Sequence, residues 1–339
     1  MSLYVDIEKG LGDFHLKVKL EAENETLALL GASGCGKSMT LKCIAGVERP
    51  DRGKIVVDGV TLFDSEKKIN LPPQKRRTGL LFQNYALFPH MTVLQNILTG
   101  AKRGKRQAQV QRVMERFGLA ELSGHYPHQL SGGQQQRTAL ARILVSEPSV
   151  LLLDEPFSAL DSHLRFQLEQ ELRKLLRDFG KTAVLVSHDR DEVYRLSDHL
   201  AVMDAGCVEV QGKTQEVFQN PQSCKAALLT GWENVSPVKA LGEGWVQALA
   251  WNTQLHLQKE NAAAVGIRSK DVIMAEGENS LLCHVEEELE NSFSYTVLLR
   301  PVGGGSLLTW ETEKEFWNIQ RKEVVRICLP PQKLILLRQ

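Results

Sequence analysis

A glycine-rich segment near the start of the chain has the residues needed to hold phosphate groups. Residues 31–38 fit the pattern G-x-x-x-x-G-K-S, with an apolar run before them and a helical run after them. Glycines let backbone N–H groups converge on phosphate oxygens, and the positive end of the following helix points at the same oxygens. The pattern predicts that Lys37 contacts the β- and γ-phosphates and that the Ser38 hydroxyl ligates Mg²⁺. We therefore predict a nucleotide site formed by Gly31, Ala32, Ser33, Gly34, Cys35, Gly36, Lys37, Ser38 and Met39.

Two acidic residues end a second apolar run, Val-Leu-Leu-Leu at residues 150–153. A buried strand there would deliver Asp154 to the coordination shell of Mg²⁺. Glu155, one residue further on, could orient or deprotonate an attacking water. The alternative is a strand-end turn with two solvated acids, which the phosphate loop disfavours. These two motifs still leave the class open, because GTPases, small-molecule kinases, helicases and transport ATPases share them.

A second glycine-rich segment, residues 130–137, begins another predicted helix. Ser131 and Gln134 have the spacing of a capping box. Gly132 and Gly133 cost about 1 kcal/mol each relative to alanine, but they expose backbone at a positive helix end that suits a phosphate. Because residues 31–38 already provide a phosphate site, we interpret this helix end as binding nucleotide that is held by another chain.

Together these segments resemble the ABC transporter ATPase family over residues 1 to about 230. The chain has elements similar to those of the family, and they occur in the family's order: Walker A at 31–38, a Q-loop glutamine at Gln83, the signature at 130–137, Walker B at 150–155, a D-loop at 158–161 and a switch histidine at His188.

The resemblance implies a homodimer, arranged head to tail, that sandwiches two ATP molecules. One chain would supply the phosphate loop, the catalytic residues Glu155, His188 and Gln83, and the Mg²⁺ ligands Ser38, Gln83 and Asp154. The other chain would supply Ser131, Gly132, Gly133, Gln134 and Asp161.

The family usually stacks the adenine ring on an aromatic residue that precedes the first long strand. Phe14 is the first candidate here and Tyr4 is the second. Phe14 also fits an alternating pattern of apolar residues, so packing in the core is an equal alternative for this side chain.

Apolar runs predict the strands that position these residues. Residues 14–20 alternate, and runs at 26–30, 78–82, 150–153, 182–186 and 200–203 are typical of a buried, mostly parallel sheet. We predict an α/β fold, a P-loop ABC ATPase core of residues 1–230 whose sheet is mixed and mostly parallel, with a helical subdomain at about 84–146. Short alternating runs and all five tryptophans lie beyond Gly231, which predicts an all-β, OB-like or TOBE-type domain at 231–339.

The overall composition excludes some function classes. Lysine plus arginine and aspartate plus glutamate number 41 each, which argues against a nucleic-acid partner. No signal peptide or membrane-spanning run is found in the sequence, so we expect a peripheral protein on the cytoplasmic face of the cell membrane. A soluble ABC ATPase that acts on DNA or ribosomes, a non-catalytic binding module and an exporter ATPase are the rival hypotheses.

The direction of transport and the solute follow from further resemblance. The apolar loop at residues 85–90 is similar to the family's docking site for integral membrane permease subunits, and a β-rich tail is typical of importers that also use an extracytoplasmic substrate-binding protein. Stretches at 11–16, 64–77 and 265–272 favour molybdate or tungstate as the solute. Sulfate, sugars, polyamines and ferric ion are alternatives. The tail could also bind a regulatory oxyanion through Asn234, Ser236, Lys239, Arg268 and Ser269, or simply stabilise a dimer.

Overall fold

The computed structural model describes residues 2–101, 106–158, 162–257 and 262–338. The chain forms two compact units, Met1–Thr214 and Gln215–Gln339. The first unit mixes strands and helices, and the second is built mainly from strands. The domain boundary at residues 230 and 231 stays a prediction.

Eleven strands of the first unit form one mixed sheet. Their order across the sheet is β6-β5-β4-β1-β2-β11-β10-β3-β9-β8-β7. The strands are β1 (Leu3–Leu11), β2 (Phe14–Ala22), β3 (Thr26–Gly31), β4 (Arg52–Val57), β5 (Val60–Asp64), β6 (Ile69–Asn70), β7 (Thr78–Leu81), β8 (Val150–Asp154), β9 (Ala183–Ser187), β10 (His199–Asp204) and β11 (Cys207–Lys213).

The parallel part of this sheet spans five neighbouring strands, β10, β3, β9, β8 and β7. Every residue of β3, β8 and β9 is buried, which explains why these strands are continuous apolar runs in the sequence. The neighbours β6, β5, β4, β1 and β2 pair antiparallel, and β2 alternates buried and exposed residues. The predicted mixed sheet is confirmed.

Six helices flank the sheet of the first unit among the residues that the structure describes. They are α1 (Lys37–Ala45), α2 (Val93–Gly100), α3 (Arg106–Arg116), α4 (Gly132–Leu144), α5 (Ser162–Phe179) and α6 (Arg190–Leu196). The predicted helical segment thus contains α2, α3 and α4, whose buried side chains include Ile97, Val110 and Leu140. Gly180, with φ of 61°, follows the last residue of α5, a position where glycine commonly ends a helix. No helix in the described ranges is long and apolar enough to cross a membrane.

The second unit contains two sheets with an aromatic core. One sheet has the order β14-β13-β12-β15-β20 and the other β18-β17-β16-β19. Trp310 packs edge-on against Trp317 with ring centroids 5.4 Å apart, and Trp251 is buried beside them in the same core. This architecture agrees with the predicted OB-like domain. The elements are α7 (Thr214–Gln219), α8 (Cys224–Leu229), β12 (Asn234–Gly242), β13 (Trp245–Ala248), β14 (Thr253–His256), β15 (Ala264–Ile267), β16 (Ser280–Glu290), β17 (Ser294–Pro301), β18 (Leu308–Glu313), α9 (Lys314–Gln320), β19 (Val324–Cys328) and β20 (Ile335–Leu337).

A buried arginine holds the carboxyl end of α1, the helix that follows the phosphate loop. Arg76 is only 2% exposed, and its guanidinium donates to the carbonyl oxygens of Cys43 (2.8 Å) and Ile44 (3.0 Å) at the end of that helix. Gly46 ends α1 with φ of 79°, and a Cβ there would lie 2.4 Å from Arg76 Nε. The arginine therefore adds donors to two carbonyl oxygens of the last helical turn, of which that of Cys43 also accepts from Gly46 N.

We predict that Arg76→Leu lowers the free energy of unfolding by about 2–4 kcal/mol, because buried carbonyl oxygens lose their donors. Urea unfolding followed by circular dichroism measures this loss. Arg52→Leu, which changes an exposed arginine at the start of β4, is the control and should cost less than about 0.5 kcal/mol. Equal losses for the two variants would contradict the role of Arg76.

Candidate functional site

The carboxyl ends of the parallel strands bring the predicted site residues to one edge of the sheet. Strand β3 ends at Gly31, and β8 ends at Asp154. Gln83 and His188 follow the ends of β7 and β9, the strands that pair with β8 on either side. Parallel strands place such ends together, and ligands of α/β sheets bind there.

The phosphate loop has backbone conformations that only glycine adopts without strain. Gly34 and Gly36 have φ of 82° and 105°. At Gly31 the limit is space, because a Cβ would lie 2.3 Å from the carbonyl oxygen of Met203 and 2.6 Å from Cys35 Sγ. Met39 is half-buried and packs against the core beneath the loop. The glycine pattern in the sequence is therefore explained by the geometry of the loop.

The Lys37 ammonium lies inside the loop. Its Nζ donates to the carbonyl oxygens of Gly31 (2.7 Å) and Ala32 (2.8 Å), and it lies 3.7 Å from Cys35 Sγ. Ala32, Ser33 and Gly34 are exposed, whereas Cys35 is buried. A cation at the base of an exposed, glycine-lined turn is suited to bind the terminal phosphates of a nucleotide.

Ser38 and Asp154, the two side chains predicted to ligate Mg²⁺ together, are in direct contact. The Ser38 hydroxyl donates to Asp154 Oδ1 at 2.7 Å. Burial raises the pKa of Asp154, which is 7% exposed, and the hydrogen bond from Ser38 partly offsets this. In the described part of the chain, no group of three His, Cys, Asp or Glu side chains could hold a metal. Mg²⁺ at a nucleotide fits this donor set, because phosphates and water supply most of its ligands.

Glu155 lies at the centre of the predicted catalytic group. Gln83 Nε2 donates to Glu155 Oε2 at 3.2 Å, and His188 Nδ1 approaches Glu155 Oε1 at 3.4 Å. Glu155 has φ of 44°, a left-handed conformation that costs free energy for a residue with a side chain. The structure thus gathers all three residues that the sequence predicts to be catalytic.

One neighbour of this group was missed in the sequence. Lys42 lines the same depression as Asp154 and Gln83, and its charge lowers the pKa of Asp154 against the larger effect of burial. Lys42 follows Ser38 by four residues on α1, so the two side chains lie on one face of the helix. Lys42 could have been predicted from this four-residue spacing on the helix.

The signature segment has the predicted capping box. Gln134 N donates to Ser131 Oγ (3.3 Å), and Ser131 N donates to Gln134 Oε1 (2.9 Å). Gly132 and Gly133 form the first turn of α4. Among the residues that the structure describes, no hydrogen bond or ion pair joins residues 131–134 to the phosphate loop. Asp161, the remaining residue of the predicted second half-site, lies outside the described residues.

Of the two adenine candidates, Phe14 lies beside the phosphate loop. A Cβ on Gly36 would be 3.3 Å from Phe14 Cζ, and the Phe14 ring is half-buried against the core. The Tyr4 hydroxyl donates to Asp6 Oδ2 at 3.3 Å, and Tyr4 lines a different depression. Phe14 is therefore the better placed of the two, although its part in binding adenine stays a prediction.

The predicted docking loop at residues 85–90 is only partly exposed. Tyr85 is 4% exposed, and its hydroxyl donates to the carbonyl oxygen of Pro156 at 3.3 Å. Phe88 is 42% exposed and lies under the guanidinium of Arg142. The exposed part of this loop, to which the predicted docking is limited, therefore consists of Ala86 and residues 88–90. Tyr85 belongs to the interior.

Most of the polar groups predicted to form an oxyanion sensor have partners within the protein. The Asn234 side chain exchanges two hydrogen bonds with the backbone of Thr309, and Ser236 Oγ bonds the backbone of Pro237 and Ala250. Arg268 stacks on Trp232 and donates to a carbonyl, and a carboxylate oxygen of Glu233 already accepts from Ser269 N. Lys239 is exposed. These contacts favour structural roles, as in the alternative stated above.

The raised pKa of Asp154 predicts how stability depends on pH in the metal-free protein. The folded carboxyl binds its proton more tightly than the unfolded one, so the stability that it contributes is lost as pH rises from the ordinary value of 3.8 through the raised value. We predict that Asp154→Asn, which keeps the acceptor for Ser38, is more stable than the wild type near neutral pH in chelator.

Thermal unfolding from pH 3.8 upward measures this difference, which should grow as the pH rises through the raised pKa of Asp154 and then level off. Asp13→Asn, at an exposed turn between β1 and β2, is the control, and its unfolding temperature should equal that of the wild type at each pH. Identical unfolding temperatures for Asp154→Asn and the wild type across this range would contradict the prediction.

Comparisons with known proteins agree with this geometry. A model of the family described as ABC transporter matches residues 14–158. A sulfate/thiosulfate import ATP-binding protein of Chromobacterium violaceum is 37% identical over 326 residues, which are 92% of this chain and 87% of the relative. A spermidine/putrescine import ATP-binding protein of Methylococcus capsulatus is 39% identical over 309 residues, covering 88% and 77%.

A third relative and a solved structure extend the likeness. An Fe(3+) ions import ATP-binding protein of Haemophilus influenzae is 42% identical over 233 residues, covering 67% of this chain and 66% of the relative. The dimeric ATP-binding cassette MJ0796 in a post-hydrolysis state, bound to ADP and Pi, is 31% identical with a TM-score of 0.53 and covers 63% of this chain and 99% of its own. The chain belongs to the ATP-binding proteins of ABC transporters, of the importer type.

Proposed function

We propose that this chain binds ATP with Mg²⁺ at the edge of the sheet and hydrolyses it to drive import of a small solute. The observation that carries the proposal is the grouping of Ser38 with Asp154 and of Gln83 and His188 around Glu155. The family is one of import ATPases, and the individual roles of these residues are our inference.

The phosphate loop would hold the triphosphate. Backbone N–H groups of residues 31–38 would face the phosphate oxygens, and Lys37 would leave its carbonyl partners to contact the β- and γ-phosphates. Ser38 and Asp154 would hold Mg²⁺, with Gln83 as a further oxygen ligand. The ion would supply charge neutralisation between the β- and γ-phosphates. Phe14 would lie against the adenine.

Glu155 would act on the attacking water. Its carboxylate would accept a proton or orient the water, while His188, which lies at 3.4 Å, would contact the γ-phosphate. The left-handed backbone of Glu155 supports this role, because such strain is retained at functional sites where the surrounding structure fixes it.

The signature segment would complete the site of a second copy. Its helix end begins with Gly132, which is half-buried, and Gly133, which is buried, and no described hydrogen bond joins it to the chain's own phosphate loop. In a two-fold dimer, each helix end could face the nucleotide on the partner. ATP binding would then close the dimer through Ser131, Gly133, Gln134 and Asp161, and hydrolysis would reopen it.

The membrane partner would be a pair of permease subunits on the cytoplasmic face of the cell membrane. Phe88 and His90 are exposed on the loop that follows Gln83, which offers apolar area to a helix of such a subunit. Import would further need an extracytoplasmic substrate-binding protein. Neutral net charge gives no reason to expect a nucleic-acid partner.

The identity of the transported solute is a separate question from the hydrolysis of ATP. The relatives are named for sulfate/thiosulfate, spermidine/putrescine and Fe(3+) import, and they support these alternatives about equally. Molybdate has only the support of the three short stretches in the sequence. We therefore propose a small ionic solute as the cargo, without a regulatory oxyanion site in the second unit.

Glu155→Gln provides the direct test of the hydrolytic role. We predict that this variant binds ATP, forms a long-lived dimer with ATP, and hydrolyses it about 100-fold or more slowly, because the amide cannot accept a proton. Phosphate release and size-exclusion chromatography with ATP measure both effects. Glu66→Gln, at an exposed acid that lines a different depression, is the control. Normal turnover by Glu155→Gln would show that the role is assigned wrongly.

An uptake assay tests the solute. The tagged chain would be isolated from its own membranes with the subunits bound to it and reconstituted in vesicles with ATP inside. Labelled molybdate, sulfate, spermidine and ferric ion would then be supplied outside the vesicles in parallel, together with the extracytoplasmic substrate-binding protein. ATP-dependent uptake of one of them, absent with Glu155→Gln, is the expected result. ATP-dependent extrusion, or turnover that no permease subunit affects, would contradict an importer.

A further inference from the structure

The carbonyl group that follows the catalytic glutamate receives two hydrogen bonds from buried side chains. Tyr85 OH donates to the Pro156 carbonyl oxygen at 3.3 Å, and Gln136 Nε2 donates to the same oxygen at 3.1 Å. Tyr85 lies two residues after Gln83, on the loop that follows β7. Gln136 lies on α4, the signature helix. One carbonyl oxygen therefore joins three segments that are distant in the sequence.

Both donors are fixed in place by their surroundings. Tyr85 and Gln136 are 4% and 1% exposed. Arg142, also on α4, donates to the backbone oxygens of Tyr85 (2.9 Å) and Ala86 (2.7 Å), so the loop is tied to that helix twice. Burial raises the pKa of Tyr85, which keeps its hydroxyl protonated and able to donate.

The backbone at Glu155 needs such support. Its φ of 44° is strained, and the residue precedes a proline, which restricts its conformation further. On one side, Glu155 N donates to Val186 O at 3.0 Å; on the other, its own carbonyl accepts from Ser158 Oγ at 3.1 Å. The Pro156 carbonyl, one peptide further on, is held only by Tyr85 and Gln136 among the described hydrogen bonds.

Gln136 also carries a cost that packing alone does not explain. Its Oε1 is buried and has no hydrogen-bond partner in the described part of the chain. A buried amide with one orphan oxygen destabilises a fold relative to an apolar side chain of similar size. The compensating interaction in the structure is the hydrogen bond that Gln136 Nε2 donates to the Pro156 carbonyl oxygen.

We propose that Tyr85 and Gln136 are positioning residues that hold the Pro156 carbonyl and thereby set the carboxylate of Glu155 for ATP hydrolysis. They link the loop after β7 and the signature helix to the reaction centre through a single backbone group. The inference rests on the proposed function and adds to it two residues that touch neither nucleotide nor metal.

Tyr85→Phe removes one oxygen and keeps the ring. We expect kcat for ATP hydrolysis to fall about five- to tenfold, the loss expected for one misplaced general base, while the KM for ATP changes by less than about twofold. Tyr295→Phe is the control, because it also removes the hydroxyl of a mostly buried tyrosine, there in the second unit. An unchanged kcat in Tyr85→Phe, or a raised KM alone, would overturn the proposal.

Gln136→Met separates positioning from stability. The thioether has similar length and no orphan oxygen, so we expect the unfolding temperature to stay level or rise while kcat falls about five- to tenfold. A merely structural glutamine would lose stability and activity together. That joint loss is the result that contradicts a positioning role.

The decisive experiment measures the effect of Tyr85→Phe in single-turnover assays, once in the wild type and once in the Glu155→Gln variant. If Tyr85 acts through Glu155, its substitution has no further effect once the carboxylate is gone. The same fold loss in both backgrounds would refute the coupling. Hydrogen exchange of residues 155–158 gives a readout without turnover: it should accelerate in Tyr85→Phe and Gln136→Met but not in Tyr295→Phe. A wild type without ATPase activity would instead reject the proposed function, and the exchange data would still test the inference.

Discussion

The parallel pairing of β3, β9, β8 and β7 is the constraint on which the site depends. Each of these strands is followed at its carboxyl end by a residue that the proposed chemistry uses, and parallel order places all of those ends on one edge. Buried apolar side chains stabilise β3, β8 and β9 on both faces, so the edge is rigid. Rigid strand ends hold Ser38 against Asp154 and keep Glu155 within reach of Gln83 and His188.

Features of the site that depend on local spacing could be predicted from the sequence. The phosphate loop is an example, because glycine, lysine and serine at fixed intervals determine its backbone and its charge. The Ser131–Gln134 capping box is another, since both hydrogen bonds join residues three apart. The buried strands were equally clear, as uninterrupted apolar runs. Helix, strand and loop therefore followed from short windows of sequence.

Contacts between distant residues could not be predicted in this way. Tyr85 looks like a surface aromatic in an apolar loop, and only the tertiary structure shows its hydroxyl on Pro156. Asn234 looks like a ligand for an oxyanion, yet its amide pairs with the backbone of Thr309, 75 residues away. The hydrogen bonds from Arg76 to the carbonyl oxygens at the end of α1 could likewise not be predicted from the sequence. Side-chain to backbone bonds of this kind depend on which segments the fold brings together, and no periodicity encodes them.

The central claim is the proposal that each reaction centre combines groups from two chains, since among the described residues no hydrogen bond or ion pair joins the signature helix end to the phosphate loop of the same chain. Mixing two inactive variants tests this claim most directly. Lys37→Ala damages the phosphate loop and Ser131→Arg damages the signature, so each homodimer lacks both centres. In an equal mixture, half of the dimers pair unlike chains and have one intact centre. The account predicts about a quarter of wild-type ATPase activity in the mixture. Activity no higher than that of the separate variants, or full activity of Ser131→Arg as a monomer, would contradict it.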